Sequence, residues 1–346
     1  MQKPIDLLKH LQGLTGSFDH NGKKIFYINI YSKKQNSRYL PIIAKNEGVA
    51  CADDSARAVV LALEIYKLFG EKKALQQAIK WLTFLEYMQD KKGFITNFIK
   101  SPEGQREYGI DSSHQGGAWW SSRAKWAWAK AYKVIKDKKY LDHYFKTKIT
   151  ERYQNDVASI LLLAGLEVFE SEDKNRLCNL LKKISSCRAK EGFFLHAKGA
   201  PLHLRAYHEL EAVAKASDML GNKKELVDSC RQTVKSLVND VVNNGFYTEY
   251  ITRDKSEINP YCVSPLVRGL YELSIADIEN KEIYQKLSQK CFDWFEKMYE
   301  PTTGACLDWT HGDNISAGYG AEASIEAGFS YVRKLLLSNN TKTIRI

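Results

Sequence analysis

A pair of helices of contrasting character recurs along the chain, and this repeat limits the possible folds more than any other feature. The first full copy begins at Glu47 and ends near Phe98. Its first helix, which starts near Asp53, is small and apolar on almost every side, and this predicts a helix that is buried all round. Its second helix, at about 73–89, has one apolar side and one side of lysines and glutamines, which is typical of an outer helix.

The same unit can be followed through the rest of the chain. Further buried helices are predicted at 116–136, 156–169, 203–220, 264–276 and 319–336, and glycine turns at Gly93, Gly192, Gly245 and Gly304 follow amphipathic helices. The chain opens with an amphipathic helix at 4–14 that lacks a buried partner, and its last buried helix lacks an outer one. These two helices would pack against each other as a hairpin if the ends of the chain meet. An open solenoid would leave each of them without a partner.

We therefore predict an all-α fold, an (α/α)6 toroid of six helical hairpins closed by the N- and C-terminal helices. We expect a single domain over residues 1–346. Residues 23–46 alternate in polarity and predict irregular or short-strand structure between the first helix and the first full hairpin.

Composition narrows the class further. The chain is 44% hydrophobic and carries a net charge of +10, but its lysines are spread over predicted outer faces rather than clustered. No nucleic-acid motif, no apolar run long enough to span a membrane and no signal sequence is recognisable, so we expect a cytoplasmic protein that binds no nucleic acid. The seven cysteines lack metal-site spacing, and we expect reduced thiols, no metal and no cofactor.

In a closed ring every inner helix runs in the same direction, so the N-termini of the inner helices and the turns after the outer helices share one rim. Acids, histidines and aromatic residues recur at these rim positions, His196 and Tyr261 among them. Helix N-termini present free N–H groups and the positive end of the helix dipole, which suits anionic or hydroxylated ligands.

Each rim residue also has a structural interpretation. Asp53 and Asp54 can act as the cap and first-turn acid of a helix, which would stabilise it by about 1 kcal/mol. A histidine such as His114 or His311 is more often a hydrogen-bonded structural residue than a catalyst. Trp119 and Trp120 can be core residues, but neighbours on a helix point in different directions, so one of them is expected to offer a sugar-stacking surface.

The segments 51–57 (Cys-Ala-Asp-Asp-Ser-Ala-Arg) and 320–327 (Gly-Ala-Glu-Ala-Ser-Ile-Glu-Ala), set in this helical alternation, resemble the six-hairpin glycosidase superfamily. Similar openings and closes occur in bacterial toroid proteins, some of them attached to glycosyltransferases. The resemblance implies a saccharide ligand and a carbohydrate-active enzyme, with glycosyltransferase pathway partners as a further expectation. The superfamily includes inverting glycosidases, unsaturated glucuronyl hydrolases, polysaccharide lyases and N-acylglucosamine 2-epimerases.

The favoured hypothesis is a glycoside hydrolase that acts on oligosaccharides, including uronate-containing ones, through two carboxyl groups about 6.5–9.5 Å apart if it inverts. We expect one catalytic acid from Asp53 and Asp54, and the other from Asp308, Asp111 or Glu322. Trp119, Trp120 and Trp309 are expected to stack on sugar faces, and Arg57, Arg205 and Arg268 to hold a carboxylate. The full set of expected substrate-binding residues is Arg57, Asp111, His114, Trp119, Trp120, His203, Arg205, Arg268, Trp309, His311 and Glu322.

Three alternatives stay open. The segment from His203 to Ala212 is similar to a histidine-bearing inner helix of a sugar 2-epimerase, for which His311 or His114 would supply the second base. A saccharide-binding module without catalysis would use the same cup. Residues 53–56 are also similar to the acid motif of class II terpene cyclases, although Cys51 stands where that motif has its first aspartate.

Overall fold

The computed structural model describes residues 3–43, 47–200, 204–221, 223–237, 258–311 and 314–338. In chain order its α-helices are α1 (Lys9–Gly13), α2 (Ala52–Phe69), α3 (Lys72–Met88), α4 (Ala118–Ile135), α5 (Lys138–Lys146), α6 (Asn155–Glu167), α7 (Lys174–Ser185), α8 (Glu209–Met219), α9 (Lys223–Leu237), α10 (Pro260–Ala276), α11 (Lys281–Glu296) and α12 (Ala321–Ser338). A 3-10 helix at Pro4–Leu8 leads into α1.

The even-numbered helices form the inner ring. Helix α2 packs on α4, α4 on α6, α6 on α8, α8 on α10, α10 on α12 and α12 back on α2. Helices α3, α5, α7, α9 and α11 each pack outside the inner helix that precedes them, while α1 and the 3-10 helix before it pack on α12. The predicted closure by the first and last helices is therefore confirmed, as is the (α/α)6 fold.

Burial explains why the two helix types alternate. Every residue of α2 from Ala52 to Ile65 is buried, because an inner helix is covered by its neighbours in the ring and by its outer partner. Helix α3 buries residues such as Ala74, Ala78 and Trp81 on one side only. A single hydrophobic cluster extends from Leu7 to Val332 and joins both layers.

Glycine is required at the turn that ends the first full hairpin. Gly93 has a φ of +94°, a conformation that side chains with a Cβ rarely adopt. A Cβ there would also overlap the backbone carbonyl oxygen of Lys146. The corresponding turn at Gly245 lies outside the described residues.

The start of α8 differs from the prediction. The helix was expected from His203, which lies outside the described residues, but it begins at Glu209. Ala206 has a φ of +61°, and this left-handed residue cannot continue a right-handed helix. Pro265 inside α10 contributes, because it has no N–H to bond the carbonyl of Tyr261, and that carbonyl instead accepts a hydrogen bond from Ala206 N at 3.1 Å.

Short antiparallel strands decorate the ring: β1 (Thr15–His20), β2 (Lys23–Ile28), β3 (Tyr31–Gln35), β4 (Arg38–Ile42), β5 (Ala50–Cys51), β6 (Phe98–Ile99), β7 (Tyr299–Glu300), β8 (Ala305–Cys306), β9 (Thr310–His311) and β10 (Asn314–Ile315). The first four form two hairpins, β1–β2 and β3–β4. Strands β2, β3 and β4 lie in the region 23–46 where irregular or short-strand structure was expected, whereas β1 precedes it. Among the described helices none is long and apolar enough to cross a bilayer.

Candidate functional site

A cavity of about 730 Å³ opens at the end of the ring where the inner helices begin. All six inner helices reach it with their first residues or with the residues just before them. Its lining includes Asp53, Asp54, Arg57, Trp119, Asp156, Arg205, Asn259, Tyr261 and Glu322 from the inner helices, and Tyr31, Glu47, Asn97, His196, Asp308 and Trp309 from the connecting segments.

The two aspartates of α2 are not its N-cap. Cys51 occupies that position, and its thiol accepts a hydrogen bond from the backbone N–H of Asp54 at 3.3 Å. The side-chain oxygen of Asn97 accepts from the N–H of Asp53 at 3.2 Å. Because other side chains satisfy these helix-terminal donors, the two carboxylates are left to serve the cavity and the ion pairs below it.

Arg57 is the centre of the acidic wall. It is 1% exposed, and its guanidinium donates to four carboxylates, Asp53 at 3.3 Å, Asp54 at 2.6 Å, Glu322 at 3.1 Å and Glu326 at 3.0 Å. The first two lie on α2 and the other two on α12. One cation shared among four carboxylates leaves a surplus of negative charge, which favours proton uptake by this cluster.

Two carboxyl groups of the cavity hold protons more strongly than usual. Burial, together with Glu322 and Asp53, outweighs the attraction of Arg57 and raises the pKa of Asp54 to about 7. Burial and Glu322 raise the pKa of Asp308 to about 6, although the backbone N–H of Gly320 donates to its Oδ1 at 2.5 Å. Near neutral pH the cavity therefore offers both a protonated and an ionised carboxyl group.

Asp53 links this wall to a buried polar network. Its Oδ2 accepts from Trp119 Nε1 at 3.2 Å, and its Oδ1 lies 3.6 Å from Nε of the buried Arg123. Arg123 in turn contacts His208 Nε2 at 3.1 Å. Burial and the adjacent Arg123 lower the pKa of His208 to about 3, so this imidazole is neutral and joins the arginine to Glu211, whose carboxylate lies 3.1 Å from Nδ1.

The cavity wall near α6 and α8 carries basic side chains, unlike the acidic wall around Arg57. His196 Nδ1 lies 2.5 Å from Oε1 of Glu209, which is fully buried. Although burial disfavours the charged imidazole, the Glu209 carboxylate raises the pKa of His196 to about 9. Arg205 lies on the same wall with an exposed side chain.

The cavity brings together eight of the residues singled out from the sequence: Asp53, Asp54, Arg57, Trp119, Arg205, Asp308, Trp309 and Glu322. Trp120 is buried away from it, with Nε1 donating to the carbonyl of Ile95 at 2.8 Å. Arg268 is fully buried and bound to Glu211 at 2.6 Å. Neither is placed to bind a ligand in the cavity.

Asp111 and His114 lie outside the cavity lining. Asp111 is exposed in a 3-10 helix, and His114 lies 3.3 Å from Glu151 near the surface. His203 is outside the described residues, and for His311 only the backbone, in β9, is described.

Sequence reasoning missed Asp156, Asn97 and Tyr31 as cavity residues. The place of Asp156 could have been predicted from the sequence, because it stands in the first turn of a predicted inner helix, as Asp53 does. Asn97 and Tyr31 come from a turn and a strand whose approach to the rim no periodicity indicates. In the described part of the chain, no group of three or more His, Cys, Asp or Glu side chains is arranged to hold a metal ion.

Comparison with solved structures identifies the same toroid in carbohydrate enzymes. A sugar epimerase from a ruminal bacterium superposes with a TM-score of 0.70 at 11% identity, covering 96% of this chain and 97% of that one. Cellobiose 2-epimerase from Bacillus thermoamylovorans gives 0.68 at 12% identity over 95% and 97%. An inactive α-1,6-mannanase variant from Salegentibacter gives 0.65 at 11% identity over 96% and 98%.

No family model and no curated protein sequence matches the chain. The structural likeness establishes the fold, which is the (α/α)6 toroid that the sequence predicted.

Proposed function

We propose that the protein is a carbohydrate-active enzyme, a glycoside hydrolase that cleaves a saccharide held in the cavity between Asp54 and Asp308. Asp54 donates its proton to the glycosidic oxygen as the bond from that oxygen to the anomeric carbon breaks. Asp308 takes a proton from the water that attacks the anomeric carbon. Trp119 and Trp309 offer aromatic surface for sugar rings.

The observation that carries this proposal is the presence of two carboxyl groups with raised pKa values, those of Asp54 and Asp308, in one cavity. Asp54 is the more deeply buried of the two and is assigned the role of acid, and Asp308 is assigned the role of base. Glu322 is the alternative base. Because Asp54 and Glu322 bond the two Nη atoms of one guanidinium, their oxygens are at most about 8 Å apart, which does not exceed the largest separation of glycosidase carboxyl pairs.

Asp53 is assigned a holding role. Both of its oxygens face cationic or N–H groups of the protein, namely Arg57, Trp119 and Arg123. A carboxylate held by these partners positions the groups around it. The mannanase structure offers a parallel, because its inactive variant has two consecutive aspartates replaced by alanine, and Asp53 and Asp54 are also consecutive.

The test is product release from a panel of neutral and uronate-containing oligosaccharides, followed by chromatography. Asp54→Asn and Asp308→Asn should each lower kcat by about 100-fold or more. Asp173→Asn is the matched control, because Asp173 caps α7 at the surface and asparagine caps equally well. Cleavage that survives both active-site changes would refute the proposal.

Sugar 2-epimerisation is the second candidate, favoured by the epimerase structures that superpose over almost the whole chain. His196 is the described histidine that lines the cavity, and a second base would be needed for two-base proton exchange. Incorporation of solvent deuterium at C2 without cleavage would select this activity over hydrolysis.

A saccharide-binding module is the remaining alternative with support. Glycan binding that yields no product and survives loss of both acids would select it. The terpene-cyclase alternative does not fit the acids and arginines that line the cavity. The single-domain organisation, the cytoplasmic location and the glycosyltransferase partners stay predictions.

A further inference from the structure

The two sides of the cavity differ in charge. The ring order places α8 across from α2 and α6 across from α12. The α2 and α12 side carries Asp53, Asp54, Glu322 and the adjoining Asp308, which outnumber the cations beside them, Arg57 and the buried Arg123. The negative group of a substrate is therefore less favourable on this side than on the opposite one.

Among the described residues that line the cavity, Arg205 is the arginine on the opposite side. Arg57 is saturated by four carboxylates, and Arg268 is buried against Glu211, so neither can serve a ligand. Arg205 lines the cavity with an exposed side chain and forms no ion pair with any residue of the described ranges. A guanidinium offers two parallel donors that match a carboxylate or a phosphate.

The backbone that carries Arg205 is held in one conformation. The next residue, Ala206, is in the left-handed region at φ +61°, a strained geometry for alanine that persists only when its surroundings impose it. Two bonds impose it here. Ala206 N–H donates to the carbonyl of Tyr261 at 3.1 Å, and His196, itself bound to Glu209, hydrogen-bonds the backbone of Arg205.

Within the described lining of the cavity, one acid, Asp156, shares this side. Asp156 stands in the first turn of α6, and its Oδ1 accepts the N–H of Val157 at 2.7 Å. The positive end of the α6 dipole offsets its charge. The protonated His196 likewise offsets Glu209, which leaves the guanidinium of Arg205 as the exposed charge.

Resting on the hydrolase proposal, we propose that Arg205 is a specificity residue that binds an anionic substituent of the sugar, a carboxylate or a phosphate, and holds it away from the reacting carboxyl groups. The saccharide is thereby bound in one orientation, with its neutral anomeric centre toward Asp54 and Asp308. His196 is a positioning residue that acts through the backbone of Arg205.

Equilibrium binding in the catalytically disabled Asp54→Asn protein tests this inference apart from catalysis. The probes are methyl glucuronide against methyl glucoside, and glucose 6-phosphate against glucose, measured by calorimetry at pH 7. We expect at least one anion to bind about 10-fold or more tightly than its neutral counterpart. The pair that shows the preference identifies the carboxylate or the phosphate as the natural group.

Arg205→Gln should abolish that preference and leave binding of the neutral sugar unchanged, whereas Arg205→Lys should keep part of it. Arg152→Gln is the control, because Arg152 is an exposed arginine outside the cavity lining. Equal binding of charged and neutral probes, or no binding of either anion, overturns the inference. A loss at Arg205→Gln that is equal for charged and neutral sugars also overturns it. Hydrolysis is measured separately, with the protein that retains Asp54, and its result tests the proposed function but not the role of Arg205.

Discussion

Replacing Asp54 by asparagine should change the stability of the protein in a pH-dependent way. The pKa of Asp54 is about 7 in the folded chain, against 3.8 for an ordinary aspartate. Between these pH values the folded chain holds a proton that the unfolded chain has released. The free energy of unfolding of the wild type therefore falls as pH rises from about 4 to about 7.

The size of the effect follows from the same difference. About three pH units correspond to about 4 kcal/mol. The attraction of Arg57, whose bond to Asp54 is 2.6 Å long, is already included in this pKa, because it acts on the ionised carboxylate. Asparagine resembles the protonated carboxyl group and avoids the cost, so at pH 8 the Asp54→Asn variant should be more stable than the wild type by up to about 4 kcal/mol, and this advantage should disappear at pH 4.

Urea unfolding followed by circular dichroism at pH 4, 6 and 8 measures this difference. Asp53→Asn is the matched control, because Asp53 lies beside the cationic groups of Arg57 and Arg123. It should destabilise the protein at pH 8 instead, by about 1–3 kcal/mol. If Asp54→Asn follows the wild-type pH dependence, or is less stable than the wild type at pH 8, the assignment of a buried, protonated Asp54 is wrong.

The remaining predictions concern activity and packing. The pH profile of kcat/KM should be bell-shaped, with an acid limb near pH 6 as Asp308 is protonated and an alkaline limb near pH 7 as Asp54 loses its proton; a flat profile from pH 5 to 8 would contradict these roles. Trp119→Ala should raise KM about 10-fold and also lower the free energy of unfolding by about 1–3 kcal/mol, because Asp53 loses the hydrogen bond from Nε1. Trp120→Phe should lower the free energy of unfolding by about 1 kcal/mol and leave KM unchanged. Arg268→Met should cost about 3–5 kcal/mol in urea unfolding because it leaves a buried carboxylate unpaired, and a cost below 1 kcal/mol would show that the polar core is not ionised.

The repeat of apolar and amphipathic helices was sufficient to predict the ring, because the spacing of apolar residues within each helix shows whether it is buried on one side or on all sides. It also predicted that the N-termini of the inner helices would reach the cavity rim, because that follows from helix direction. The start of α8 could not be predicted, because it depends on a bond between Ala206 and Tyr261, 55 positions apart.

The roles of individual arginines also could not be predicted from the sequence. Arg57 and Arg268 were expected to bind the ligand, but their charges are taken by carboxylates of other hairpins, Glu322 and Glu326 for the first and Glu211 for the second. Such partners are set by the tertiary fold. Sequence patterns place a residue on the rim, but they do not show whether the protein itself already occupies its charge.

The pairing of Arg57 with Glu322 and Glu326 also joins the beginning of the ring to its end, since α2 and α12 are the helices between which the circle closes. The proposed reaction centre therefore lies where the ring closes. A molecule in which only the contact between α2 and α12 had opened would keep nearly all of its helical circular dichroism signal but would have no catalytic activity. Loss of activity on heating or in denaturant should therefore precede the loss of ellipticity, and catalysis would serve as a sensitive reporter of ring closure.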